Sequence, residues 1–134
     1  MMKSYLAASA GTFVIFVVID FIWLSVMARL LYRPELGDLL AGRPALAPAV
    51  VFYFLYVVGL ALLVVRPAID AGSVITALWM GSLFGLVAYG TYDLTNAATL
   101  SGWSWKVTVV DMAWGSILTG FSAAAGVWLA GRLA

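Results

Sequence analysis

The sequence predicts an all-α integral membrane protein: a bundle of four transmembrane helices with an interfacial loop between the first and second. Three observations predict it. Of 134 residues, 65% are apolar, and only seven Lys or Arg and six Asp or Glu are present, whereas soluble domains are roughly a quarter charged. The apolar residues gather in four blocks, 5–28, 46–65, 73–92 and 107–130, each near the roughly 20 residues that cross a bilayer at 1.5 Å rise per residue. Those blocks together hold only two charges, Asp20 and Asp111. Helices are required because hydrocarbon offers the backbone no hydrogen-bond partner.

The same counts exclude several functions. A net charge of +1 provides no clustered basic face for nucleic acid. The absence of Cys and His removes disulfides, thiolate or imidazole metal sites, Cys or His nucleophiles and histidine-ligated haem. The expected partner is the lipid bilayer, together with a lipid or other small-molecule ligand; the sequence names no cofactor.

The first block follows Met1, Met2 and Lys3 and is longer than the hydrophobic region of a signal peptide, about 7 to 15 residues, so it reads as a retained first span. The loop from Arg29 to Ala45 sets Leu30, Leu31, Leu36, Leu39 and Leu40 among five charges, a composition suited to the headgroup region. Within it Pro34 suits a helix start, and Gly42 with Pro44 a stop. Pro67 and Gly72 mark a tight second link. The third span extends toward residue 100, until Ser101-Gly102 breaks it. The whole chain forms one four-helix domain, 1–134, with both termini on one side. Lys3, Arg66 and Arg132 on the terminal face against Arg29, Arg33, Arg43 and Lys106 on the other set no clear orientation by the loop-charge rule. Two readings follow: Lys3 and the amino terminus decide insertion, or the chain inserts both ways and pairs antiparallel as a homodimer.

Intramembrane carboxylates carry most of the functional information. A charged Asp at a helix centre costs about 2.5 to 3.5 kcal/mol on insertion scales, so such a residue faces a cavity or a partner. At helical rise Asp20 lies roughly 5 Å, and Asp111 roughly 11 Å, from mid-span toward the long-loop face. Asp93 falls at that face's rim, with Thr95, Asn96 or Lys106 as hydrogen-bond partners. In the first span Ser9, Phe13, Phe16, Asp20, Trp23 and Met27 form one stripe by 3-4 spacing; in the fourth Asp111, Gly115, Thr119, Ser122 and Gly126 form another. Small and hydroxyl residues of this kind let membrane helices approach closely. Gly81 and Gly85, then Tyr89 and Asn96 near Asp93, extend the pattern to the third span.

Asp-x-x-Trp occurs twice, as Asp20 to Trp23 and Asp111 to Trp114. The spacing sets carboxylate beside indole, a combination suited to a cation. The structural alternative is that the carboxylates bond to Tyr, Asn or Trp groups across helices. The candidate ligand- or proton-binding set is therefore Asp20, Trp23, Asp93, Asn96, Asp111 and Trp114, with Tyr89, Tyr92, Thr119 and Ser122 as secondary pocket residues. Tyr53 and Tyr56 read as packing, with pocket lining as the alternative. Metal binding is not part of this reading, because the acids spread over about 10 Å of depth.

The strings Tyr92-Asp-Leu-Thr-Asn-Ala-Ala-Thr-Leu100 and Val110-Asp-Met-Ala-Trp-Gly115, with Trp103 between them, resemble the signature of a bacterial family of four-helix membrane proteins of unassigned function. Ile19 to Leu24 and Tyr32 to Leu40 resemble its first half, so the similarity covers essentially the whole chain. One departure is Trp103-Ser104, where the family pattern has Trp-Pro. The resemblance implies a multi-pass protein of the bacterial inner membrane and supports the same acid and aromatic residues. Three functions fit: a binding or accessory protein for a lipid, isoprenoid or amine; a proton-coupled transporter similar in size to small multidrug exporters; and a membrane enzyme of lipid or isoprenoid metabolism using Asp as acid or base.

Overall fold

Long apolar runs without strand-like alternation fold here into helices. The computed structural model describes residues 1–133 and has no strand among them. Four continuous helical stretches are long and apolar enough to span a bilayer: α1 (Met2–Leu39), α2 (Leu46–Ala71), α3 (Val74–Thr99) and α4 (Trp105–Leu133). Large side chains such as Phe54, Leu55, Leu63, Val109 and Ile117 cover the outer surface at 61–73% exposure, an apolar coat that belongs in lipid and not in water.

Two expected boundaries shift for one reason. Pro34 and Pro67 do not open or end helices; each lies within a continuous one, two residues past the end of a wide π-turn, at Ala28–Tyr32 in α1 and Ala61–Val65 in α2. Proline has no N–H to donate and its ring crowds the carbonyl four residues back. A widened turn ahead of the ring accommodates it without breaking the helix. The expected interfacial loop is thus helical as far as Leu39, and only residues 40–45 leave regular structure. Helix α2 likewise continues through Pro67 to Ala71 and closes on Gly72, whose φ of 61° is left-handed, a conformation open to glycine at little cost. Ser73 then caps α3 by accepting from the Thr76 N–H at 3.0 Å.

Helix α4 is the centre of the bundle. It is the most deeply buried of the four and packs along both α3 and α1. Its contact face is small: Gly115, Thr119, Gly120, Ser122, Ala123 and Gly126 are all buried. A Cβ on Gly85 would lie 2.2 Å from the Gly115 carbonyl oxygen, and one on Gly126 would lie 2.1 Å from Thr12 Oγ1, so these backbones meet with no room for a methyl group. On α1 the buried stripe is Ala8, Thr12, Phe16 and Asp20; Phe13, expected there, is 41% exposed. The stripe follows a strict i+4 step, which the glycine face of α4 selects because Ala8 and Thr12 sit against Gly126. Helix α2 joins the bundle mainly through its second half, and its first half stands away from α3. That divergence leaves a space between the helices on the side of the Leu40 and Leu100 loops.

Candidate functional site

The space is a cavity of ≈ 330 Å³ lined by Asp20, Leu24, Tyr32, Phe52, Tyr53, Ala88, Tyr89, Tyr92, Asp111 and Trp114. All four helices contribute. Helical spacing explains each group: Asp20 and Leu24 are one turn apart on α1, Ala88 and Tyr92 one turn apart on α3, and Asp111 and Trp114 share a face of α4. Tyr32 is less direct. Twelve residues make about three and a third α-helical turns, which would turn Tyr32 about 120° from Asp20. The wide turn at Ala28–Tyr32 takes up the excess and returns Tyr32 to the cavity side.

Asp20 and Asp111 both line this one cavity. Asp20, 6% exposed, accepts from Tyr53 Oη at 2.6 Å on one oxygen and from Trp114 Nε1 at 3.2 Å on the other. Asp111, 9% exposed, accepts from Tyr32 Oη at 2.7 Å. Trp23 Nε1 in turn donates to the Tyr32 oxygen at 3.0 Å. The two Asp-x-x-Trp motifs therefore serve each other: each indole reaches the acid of the opposite helix, Trp114 directly and Trp23 through a tyrosine. The two rings stack with centroids 4.1 Å apart and planes 7° from parallel. This is the cross-helix bonding weighed above as the structural alternative, and it coexists with a shared cavity.

Of the other candidates, Trp23, Asp93, Asn96, Thr119 and Ser122 fall outside the lining. Trp23 is spent on its stack and on Tyr32, and it borders a separate apolar groove with Ile19, Ile22, Val26 and Met27. Asp93 is not at a rim: it is fully buried, and neither oxygen finds a hydrogen-bond donor, Thr95, Asn96 and Lys106 included. Asp93 lies in the anticipated stretch of α3 that runs past Tyr92 to Thr99, on the buried face of that helix. Thr95 instead donates to the Thr91 carbonyl, Asn96 is half-buried and Lys106 is exposed. Thr119 bonds Tyr56 Oη at 2.8 Å, and the Ser122 hydroxyl is buried without a partner. Tyr89 and Tyr92 do line the cavity.

Sequence reading missed Tyr32 as a ligand of Asp111 and assigned Tyr53 to packing. An aromatic hydroxyl within reach of a lone intramembrane acid was the available signal for Tyr53; for Tyr32 the π-turn concealed the phase. Phe52 and Tyr92 are 45% and 57% exposed, so the cavity opens at the outer surface between α2 and α3. No Lys or Arg lines it. Two acids, six aromatic rings and no cation make a site suited to receiving positive charge.

A family model described as predicted membrane protein, DUF2177, matches residues 3–128. The chain belongs to this family. Both Asp-x-x-Trp motifs and the Tyr92 to Leu100 segment fall within the DUF2177 match. No curated protein and no solved structure matches the chain. As a DUF2177 protein it is a membrane protein whose four spanning helices enclose the acidic, aromatic cavity.

Proposed function

We propose that the protein binds a lipophilic cation, an amine-bearing lipid or similar amphiphile, in the cavity between Asp20 and Asp111. The observation that carries this reading is the lining: two carboxylates and six aromatic side chains around ≈ 330 Å³, with no basic residue among them. A cation gains from both elements of such a wall, from the carboxylates by charge and from the ring faces by their quadrupoles, and desolvation strengthens both. The volume lies within the range of small-molecule sites, about 300 to 1,000 Å³. The half-exposed rim between Phe52 and Tyr92 suits an apolar tail left in the bilayer. The family resemblance supports the bacterial inner membrane as the setting.

The test compares two ions of nearly equal size and opposite charge. Tetraphenylphosphonium binds to the full chain in nanodiscs, measured by tryptophan fluorescence, and tetraphenylborate does not. Asp20→Asn and Asp111→Asn each weaken the cation tenfold or more, or about 1.4 kcal/mol. Equal binding of the two ions, or unchanged affinity in both variants, refutes the reading.

A further inference from the structure

We infer that Asp93 and Asp111 form a carboxyl pair that holds one proton behind the cavity and gives it up when a cation arrives; the exchange rests on the binding proposed above. Three observations meet here. Asp93 is fully buried and neither of its oxygens has a hydrogen-bond donor. The packing register of α3 and α4 sets it against Asp111: the ring of Tyr89 occupies the space beside Gly115, and one turn further along these antiparallel helices Asp93 faces Asp111.

Two carboxylates cannot occupy such a place together without a proton or a cation between them. A single proton, donated by one acid to the other, gives one of the two orphaned oxygens of Asp93 a partner and removes the repulsion. The other groups facing the pair cannot replace it. From α1 come Tyr32, whose hydroxyl is committed to Asp111, and Asp20, whose two oxygens already accept from Tyr53 and Trp114. From α2 comes Tyr53 and from α3 come Tyr89 and Tyr92; phenols lose protons only near pH 10 in water. No Lys or Arg lines the cavity.

The step balances in charge. The pair, one acid and one carboxylate, meets a monovalent cation; the cation takes its place beside the Asp111 carboxylate, and the proton leaves the pair for water. One positive charge enters and one departs. No bond other than the O–H bond breaks, and nothing is oxidised or reduced.

Two measurements on the full chain in nanodiscs test this. Tetraphenylphosphonium carries no proton of its own, so any proton released comes from the protein. Near neutral pH in weak buffer, a pH indicator records about one proton per cation bound in the wild type. Asp93→Asn, whose amide can donate to Asp111 and replace the proton, binds the cation and releases essentially none. Binding without release by the wild type, or full release by Asp93→Asn, overturns the pair. The second measurement needs neither ligand nor variant. Dicyclohexylcarbodiimide modifies the neutral acid form of a buried carboxyl, and mass mapping finds the label at Asp93 or Asp111. No label at either residue refutes the pair even if the cation binds. Label in a protein that ignores the cation supports the pair and sinks the pocket reading alone.

Discussion

Asp20 occupies the apolar interior at 6% exposure because two donors from two other helices reach its two oxygens, Tyr53 from α2 and Trp114 from α4. Hydrogen bonds to a charged group contribute about 1.5 to 3 kcal/mol, and a buried acceptor stripped of its donor loses most of that. Tyr53→Phe is therefore expected to destabilise the protein by about that amount, read as a lowered denaturation midpoint in detergent. In an Asp20→Asn background the same change costs clearly less, since the acceptor is no longer an anion. Equal costs in both backgrounds would assign Tyr53 a packing role only. The acids themselves were legible in the sequence, because only two charges fall in four apolar blocks. Their tyrosine partners were not, since phenols come from helices distant in sequence. Asp93 was read as a rim residue because the apolar block ends at Tyr92; the continuation of the helix toward residue 100 was legible, but the face that carries Asp93 is buried by the packing of α3 on α4.

Helix contacts in this bundle are set by missing side chains. A Cβ on Gly115 would fall 2.1 Å from the Tyr89 ring, whereas one on Gly131 of the same helix meets nothing within 4 Å. Gly115→Ala is accordingly expected to destabilise by at least about 1–3 kcal/mol through overpacking. Gly131→Ala gains up to about 1 kcal/mol from helix propensity. Thermal denaturation of the pair shows opposite signs; a shared sign contradicts the close packing of α3 on α4. The small-residue stripe of α4 was visible in the sequence, down to Asp111, Gly115, Thr119, Ser122 and Gly126. The stripe of α1 was misread at Phe13, because 3-4 spacing admits two adjacent faces and only the partner helix chooses between them. The prolines misled in another way: proline is ordinarily a boundary, and here a π-turn before each ring preserves the helix.

At the scale of the whole molecule, four spans return the chain to the side on which it began. The sequence lacks cysteine, so single replacements report sidedness without background. Ser73→Cys and Gly131→Cys should react with an impermeant thiol reagent from one side of sealed vesicles, and Gly42→Cys and Gly102→Cys only from the other. Mixed reactivity at every position would favour insertion in both directions, a possibility that the three-to-four division of basic residues leaves open. The fold class needed little beyond composition and block length. The site needed the bundle itself, because the cavity arises where the first half of α2 stands away from α3, and no local pattern encodes that divergence.

The molecule also has a larger cavity, ≈ 460 Å³, at the terminal end, where Arg132 and Trp128 contribute to the wall and no acid does. Charge separates the two: the terminal cavity repels a cation and the acidic one receives it. The most direct test of the central claim is a structure of the full chain with tetraphenylarsonium, located by the anomalous signal of arsenic. The account predicts one arsenic peak between the Asp20 and Asp111 carboxylates, flanked by Tyr89 and Trp114. A peak in the terminal cavity, or only on the lipid-facing surface, would contradict it.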